Sequence, residues 1–215
     1  MPADKLTVEA IKRRAVSGVL ALSGRTFLMQ AVAFVANFFL TIFLIPAEYG
    51  TFAIVSALLG FLNYFSNVGL AAALIQKKDH PTRTELTTTF TIQQILVLVL
   101  VIGTFFATPY LQKWQQLTQE GIYLLWAMSA SLIFPSLKTI PSVLLERRLD
   151  FKKLIIPEIL ETIVFSTVVV ILAWQGFGVT SYTFGVIARG IVGLVAMYIV
   201  RPWRPGISFD FGSLR

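Results

Sequence analysis

Residues Leu86 to Gln112, LTTTFTIQQILVLVLVIGTFFATPYLQ, form a stretch of 27 residues without a charged side chain. Two more charge-free stretches precede it, Thr26 to Ala47 and Tyr49 to Gln76. An α-helix rises about 1.5 Å per residue, so about 20 apolar residues cross the hydrocarbon core of a bilayer. Each of the three stretches is long enough to do so. The sequence therefore predicts membrane-spanning helices.

The composition of the whole chain indicates the same class of protein. Of the 215 residues, 56% are apolar and 13% are charged, and the mean hydropathy is +0.76. Soluble domains carry roughly 25% charged residues, so this chain has too little polar surface to cover a water-soluble globule. We therefore predict an all-α integral membrane protein. The chain has no cysteine, which excludes disulfides, thiolate metal sites and cysteine nucleophiles.

Six transmembrane helices are predicted from the apolar runs and the residues that interrupt them. Pro46 and Pro109 are expected to end the first and third helices, because proline cannot continue the helical hydrogen-bond ladder. Pro135 and Pro141 fall inside the fourth helix, where kinks are expected. The six predicted spans are about 15–45, 49–75, 86–108, 122–145, 154–174 and 182–200.

Short segments flank the predicted six-helix bundle of residues 15–201. Residues 1–14 mix apolar and basic side chains and form either a helix on the membrane surface or a solvated tail. The apolar run that follows extends to Ile45, well beyond the length of a signal-peptide core. We therefore interpret it as an uncleaved first helix. Residues 202–215 form a C-terminal segment.

Lysine and arginine are distributed unequally between the two sets of loops. The N-terminal segment, the loops after the second and fourth helices, and the C-terminal segment together hold fourteen, and the opposite loops hold Lys113 alone. Basic loops remain in the cytoplasm, so both ends of the chain are predicted to be cytoplasmic. These loops also explain the net charge of +7, and a nucleic-acid partner is therefore not expected.

Five ionisable side chains fall within or close to predicted spans, where charge is costly and each is a functional candidate. They are Arg25, Lys138, Glu158, Glu161 and Arg189. Arg25 either snorkels to the inner headgroups or lines a cavity. Lys138 and Glu161 lie at similar depth, so they form either a structural ion pair or part of a binding or ion-coupling site. Arg189 enters from the outer side and lies too deep to reach the inner surface.

The balance of these charges favours an anion. Three cations are set against Glu161, with Glu158 one turn nearer the membrane surface. If the side chains share one cavity, it would attract a phosphate or diphosphate, which arginine binds through paired hydrogen bonds. Six side-chain amides also lie within spans, where they either link helices or face the hydroxyl groups of a sugar. They are Gln30, Asn37, Asn63, Asn67, Gln93 and Gln94.

The usual signatures of an enzyme are missing from the sequence. His80 is the only histidine, and it lies in a loop before Pro81. No acidic cluster, P-loop or Gly-x-Ser-x-Gly motif is present, and the serine and threonine hydroxyls have no evident base to activate them. We therefore predict no catalytic residues, no metal site and no cofactor.

Several motifs resemble those of bacterial polysaccharide flippases. They are EYGTFA at 48–53, NVGL at 67–70, ALIQKKD at 73–79, IPSVLLERRLDFKKL at 140–154, GFGV at 176–179 and RPWRP at 201–205. With these motifs the chain, from about residue 15 onward, is similar to the oligosaccharide flippase family of the MOP transporter superfamily. That family includes O-antigen and exopolysaccharide exporters.

This resemblance implies a transporter that moves a polyprenyl-diphosphate-linked oligosaccharide across the bacterial inner membrane by alternating access. The family has two helical lobes around a central cationic cavity, and an ion gradient drives some members. By the same resemblance Arg25 is the first candidate to hold the diphosphate, followed by Arg189 and Lys138. Implied partners are the lipid-linked substrate, membrane lipids and the glycan-synthesis machinery.

The number of helices differs from the family pattern, because family members have about twice as many. The resemblance therefore implies that these six helices form the N-terminal lobe, and that residues 202–215 begin a linker to a second lobe. A fragment, a truncated gene or a split transporter is expected, and a second lobe or chain would complete the cavity.

Three other functions remain open at this point. A MATE-like multidrug or cation antiporter fragment would favour an acidic residue in the first two helices, and none lies between Arg25 and Glu48. A non-transporting scaffold subunit of a glycan-synthesis complex would suit a single lobe with few buried charge pairs. A membrane enzyme acting on a polyprenyl substrate would need catalytic groups that the sequence lacks.

Overall fold

The structure is a computed structural model, which describes the backbone of residues 3–66, 69–77 and 79–206 and the side chains of 23–64, 71–77 and 79–206. Eight α-helices and no strands are found in these ranges. They are α1 (Ala3–Phe43), α2 (Pro46–Ser66), α3 (Leu70–Gln76), α4 (Arg83–Gln115), α5 (Gln119–Ser131), α6 (Ile133–Glu146), α7 (Phe151–Trp174) and α8 (Thr180–Val200). Residues 207–215 of the predicted C-terminal segment, and the side chains of 1–14, lie outside this description.

The predicted all-α membrane fold class is confirmed by the length and composition of the helices. Within the described ranges, five stretches are long and apolar enough to cross a membrane. They are Ser23–Phe43, Arg83–Gln115, Gln119–Glu146, Phe151–Trp174 and Thr180–Val200. The remaining predicted span, 49–75, contains α2, which has 21 residues and is not among the five.

The second predicted helix, 49–75, is divided in the structure. Helix α2 ends at Ser66, and the seven-residue α3 begins at Leu70. Gly69 lies before α3 with φ +74°, in the left-handed region that glycine adopts without steric cost. A continuous helix cannot pass through that conformation, so the chain turns here instead of continuing to residue 75.

Proline does not end the third predicted helix, which is a correction to the boundary of 86–108. Helix α4 begins at a capping box formed by Thr82 and Glu85 and continues through Pro109 to Gln115. A single proline removes one backbone hydrogen bond, and membrane helices tolerate this loss where neighbouring groups satisfy the freed atoms. The prediction that the helix ends before Pro109 was therefore wrong, because one proline is not enough to end it.

The fourth predicted helix, 122–145, breaks between α5 and α6 at Leu132. Pro135 cannot donate to the carbonyl four residues earlier and its ring crowds that turn, which explains a break at this point. Pro141 lies inside α6 and leaves the carbonyl of Leu137 without its helical donor. The hydroxyl of Tyr198 on α8 donates to that carbonyl at 3.1 Å. Packing of α8 against α6 therefore compensates for Pro141.

Helix α7 packs between α1 and α8, and α8 also contacts α5 and α6. Helix α2 packs against α4 and α5, and α3 lies against α6 and α4. The main apolar core includes fully buried Val55, Leu124, Leu125 and Val169 together with Tyr182. The bundle thus leaves α1 as an outer helix whose inward face meets α7.

The predicted basic loops lie at one end of the bundle, which we call the basic end. Trp203, after α8, packs against Phe90 near the start of α4 with ring centroids 5.1 Å apart. A Cβ atom on Gly206 would lie 3.0 Å from Thr87. At the opposite end, Gly178 contacts the carboxylate of Glu48 across the bundle. The loops that the sequence assigned to one side of the membrane therefore lie together.

Arg147 connects the loop after α6 to the end of α3. Its guanidinium donates to the carbonyl oxygens of Leu74, Ile75, Lys77 and Asp79 at 2.6, 3.1, 2.7 and 2.8 Å. The last carbonyls of a helix have no partner within the helix. Arg147 therefore caps α3 and holds the following loop against α6.

Replacing Arg147 with methionine is expected to lower the Tm of the purified protein by about 5 °C, because the charge-assisted hydrogen bonds together contribute about 2 kcal/mol. Arg148→Met is the matched control, since Arg148 is exposed at the neighbouring position. A thermal unfolding scan of both variants in detergent tests this role. Equal Tm shifts in the two variants would show that Arg147 is not a specific cap.

Candidate functional site

A cavity of about 450 Å³ lies between α1, α7 and α8, and we call it the charged cavity. Its wall includes Arg25 from α1, Glu158 and Glu161 from α7, and Arg189 from α8. Toward the end opposite the basic end, its wall is aromatic, formed by Phe52 and Tyr182, whose rings stack with centroids 3.9 Å apart. Four of the five predicted site residues therefore share one cavity.

Arg25 and Glu158 form an ion pair between α1 and α7. The pair is partly buried, with 26% and 35% of the side chains exposed. Arg25 Nη1 donates to Glu158 Oε2, and Arg25 Nε has no hydrogen-bond partner among the described residues. Arg25 thus points into the bundle and keeps a donor available, and the structure does not show it reaching for the inner headgroups.

Lys138 and Glu161 form a second ion pair, between α6 and α7. Lys138 Nζ donates to Glu161 Oε1, and the lysine side chain is 13% exposed. Glu161 also lies against α8, because a Cβ atom on Gly193 would overlap its carboxylate. The pair that the sequence left open is therefore present, and it connects three helices.

Arg189 lies one helical turn before Gly193 and is the cation of this group for which the described residues provide no ion pair. Its guanidinium carbon lies 5.2 Å from the centroid of the Phe165 ring, a cation–π geometry. Its side chain is exposed and lines the charged cavity. Arg189 is thus positioned with its hydrogen-bond donors free to meet a ligand.

A second cavity of about 460 Å³, which we call the polar cavity, lies toward the basic end between α3, α4, α6 and α7. Its wall includes Gln93, Ser136, Thr139 and Ser142 together with Lys138. Glu158 lines both cavities. The two cavities are therefore adjacent, and one carboxylate lies at their common wall.

The walls of the two cavities hold equal numbers of positive and negative side chains. The five predicted site residues carry a net charge of +1, and Glu146, which also lines the polar cavity, brings the formal sum of the two cavities to zero. Glu158 was expected to be marginal, but it pairs directly with Arg25 and belongs to the site. Arginine is suited to a phosphate because its planar fork offers paired donors.

No group of three His, Cys, Asp or Glu residues that could hold a metal ion is found in the described part of the chain. The site therefore offers hydrogen bonds and charge, and a bound metal has no support from these residues.

Some residues of the site were not singled out from the sequence. Gln93 was one of several membrane amides, and its position in the wall of the polar cavity depends on how α4 packs against α6. Gly193 gives room for Glu161, and Ser136 donates to Gln94 Oε1 at 3.2 Å. Spacing along the chain carries no signal for these contacts, because each joins two different helices.

Fold and site together define a helical membrane protein with a charged interior, which is a class in which transporters are common. The comparison with protein families is more specific. Residues 39–215 match the model of a family described as polysaccharide biosynthesis protein, so the chain belongs to that family. The resemblance to polysaccharide flippases seen in the sequence is confirmed at this level.

One curated relative is the succinoglycan biosynthesis transport protein ExoT of Rhizobium meliloti (strain 1021). It is 26% identical over 166 residues, which cover 77% of this chain. The match covers 33% of the relative, so the chain spans about a third of the length of that protein. No solved structure gives a significant match. The relative is thus a transport protein, and the matched family is one of polysaccharide biosynthesis.

Proposed function

We propose that this bundle is one lobe of a transporter that moves a polyprenyl-diphosphate-linked oligosaccharide across the bacterial inner membrane. The observation that carries the proposal is the presence of three cations, Arg25, Lys138 and Arg189, in the walls of two adjacent cavities in a chain of the polysaccharide biosynthesis family. A second lobe, from the same or another chain, completes the site in this proposal. Both ends of the chain lie in the cytoplasm, since fourteen of the loop lysines and arginines belong to that side.

In this proposal the diphosphate binds by displacing the glutamate carboxylates from the cations that they hold. A diphosphate esterified at both ends carries two negative charges, and its oxygens compete with Glu158 and Glu161 for Arg25 and Lys138. Arg189 needs no such exchange, because no carboxylate holds it among the described residues. Arg189 therefore makes the first contact, and the two ion pairs open as the substrate enters.

Charge balance gives the carboxylates a role in coupling. The six charged side chains of the two cavities have a formal sum of zero, so a bound diphosphate brings the total to −2, and uptake of protons by the glutamates restores neutrality. Glu158 and Glu161 both lie on α7, which packs between α1 and α8. Release of Glu158 from α1 and of Glu161 from α6 would free α7 to move relative to its neighbours. Substrate binding, proton uptake and the change of access are linked in this way.

Arg189→Gln tests the proposal. It is expected to lower polysaccharide export by the strain that encodes the protein by about tenfold, because at least one charge-assisted contact to the substrate is lost. Arg189→Lys should retain part of the export, since lysine keeps the charge but lacks the planar fork. Lys113→Gln, in the last turn of α4 at the opposite end, serves as a control. Normal export by Arg189→Gln at a normal membrane level would count against the proposal.

A further inference from the structure

The wall of the polar cavity contains a buried side chain whose hydrogen-bond acceptor has no partner among the described residues. Gln93 is 7% exposed, and its Oε1 has no partner among the described residues. The neighbouring Gln94 donates nothing from its Nε2, although its Oε1 accepts from Ser136. Buried polar atoms are nearly always hydrogen-bonded, so an unsatisfied acceptor on a side chain that lines a cavity of this size indicates a ligand with hydroxyl or amide donors, toward which the amide can turn.

The chemistry of the wall distinguishes this ligand from an anion. The wall that contains Gln93 also contains the hydroxyls of Ser136, Thr139 and Ser142, which both donate and accept. Lys138 is the cation in this wall, and it is held by Glu161. An apolar ligand would leave Gln93 without a partner. A sugar, with several hydroxyls that donate and accept, matches the wall best.

The position of the polar cavity agrees with the order of groups in a lipid-linked oligosaccharide. The sugar is attached to the diphosphate on the side opposite the polyprenyl chain, so it lies toward water. The polar cavity lies on the basic-end side of the charged cavity, and Glu158 lines both. Its volume of about 460 Å³ is within the range of roughly 300–1,000 Å³ for small-molecule sites.

We infer that the polar cavity binds the sugar residue next to the diphosphate, with Gln93 Oε1 accepting a hydrogen bond from one of its hydroxyls. This inference rests on the proposed function, because the diphosphate in the charged cavity places the sugar. Gln93 is then a specificity residue. It distinguishes glycan-bearing from bare lipid diphosphate, whereas Arg25 and Arg189 hold both.

The test compares two synthetic probes, farnesyl diphosphate and farnesyl diphosphate glucose, which differ only in the sugar. Binding to the full chain in nanodiscs is measured by calorimetry for the wild type and for Gln93→Met. The wild type should bind the glucose probe about tenfold more tightly than farnesyl diphosphate. Gln93→Met should lose this gain and keep the affinity for farnesyl diphosphate. Gln112→Met, the same change on α4 outside the lining of both cavities, should behave as the wild type.

The outcomes separate the two proposals. Equal binding of both probes by the wild type would overturn the sugar site and leave the diphosphate site standing. A gain from glucose that survives in Gln93→Met would also overturn it, since the sugar would then bind elsewhere. Binding of neither probe would overturn the diphosphate site proposed for the charged cavity of this lobe. Loss of both probes in Gln93→Met would show that Gln93 supports the bundle rather than the sugar.

Discussion

Replacing Arg25 with alanine is expected to lower polysaccharide export about a hundredfold or more, the largest effect of any single site residue. The change removes a cation from the charged cavity and leaves Glu158 without its partner. Truncating one member of a hydrogen-bonded charge pair in a binding site costs about 3 kcal/mol or more of binding, which is about a hundredfold in affinity. The amount of glycan exported, normalised to the membrane level of the variant, measures the effect.

A second variant distinguishes a substrate contact from a purely structural ion pair. If Arg25 only neutralises Glu158, then Arg25→Ala combined with Glu158→Gln should regain most of the lost export, because no unpaired charge remains. If Arg25 binds the diphosphate, the double variant should export as poorly as Arg25→Ala alone. Glu158→Gln by itself provides the reference, since it leaves Arg25 in place. Recovery in the double variant would contradict the role proposed for Arg25.

Much of the fold could be predicted, because a membrane helix is encoded by a continuous apolar run. The stretches 86–112, 154–174 and 182–200 each lie within or overlap a helix of the structure. The points where helices break were less predictable. Gly69 takes a left-handed conformation that leaves no trace in hydropathy. Pro109 lies within a continuing helix, whereas Pro135 follows a break, and packing decides between these outcomes.

The ionisable residues of the site could be found from the sequence, because charge in an apolar span is rare. Which of these residues form ion pairs with each other was harder to predict. Depth along the helices suggested Lys138 with Glu161, and the structure shows that pair. The pair of Arg25 with Glu158 joins residues 133 positions apart, and it exists because α1 packs against α7. Such contacts depend on helix order in the bundle, which the apolar pattern does not contain.

Gly190→Val is expected to destabilise the protein by about 3 kcal/mol, the largest loss of stability from a single added side chain. Gly190 is buried on α8, and a Cβ atom there would overlap the ring of Phe134 on α6. Helix α8 would have to move away from α6, and the hydrogen bond from Tyr198 to the Leu137 carbonyl would lengthen with it. The Tm of the purified variant and its level in the membrane should both fall.

Gly103→Val on α4 is the matched control, because a Cβ atom on Gly103 has open space around it. Its stability should remain within about 0.5 kcal/mol of the wild type.

A second substitution, at Phe134, tests whether overlap with its ring causes the loss of stability in Gly190→Val. Phe134→Leu makes room beside Gly190, so the combination with Gly190→Val should be more stable than Gly190→Val alone. If Phe134→Leu adds a further loss instead, then close packing of α8 on α6 at this point is not what Gly190 provides. Recovery would show that Gly190 leaves room for the Phe134 ring, and so allows the α6–α8 contact that brings Tyr198 to the carbonyl freed by Pro141.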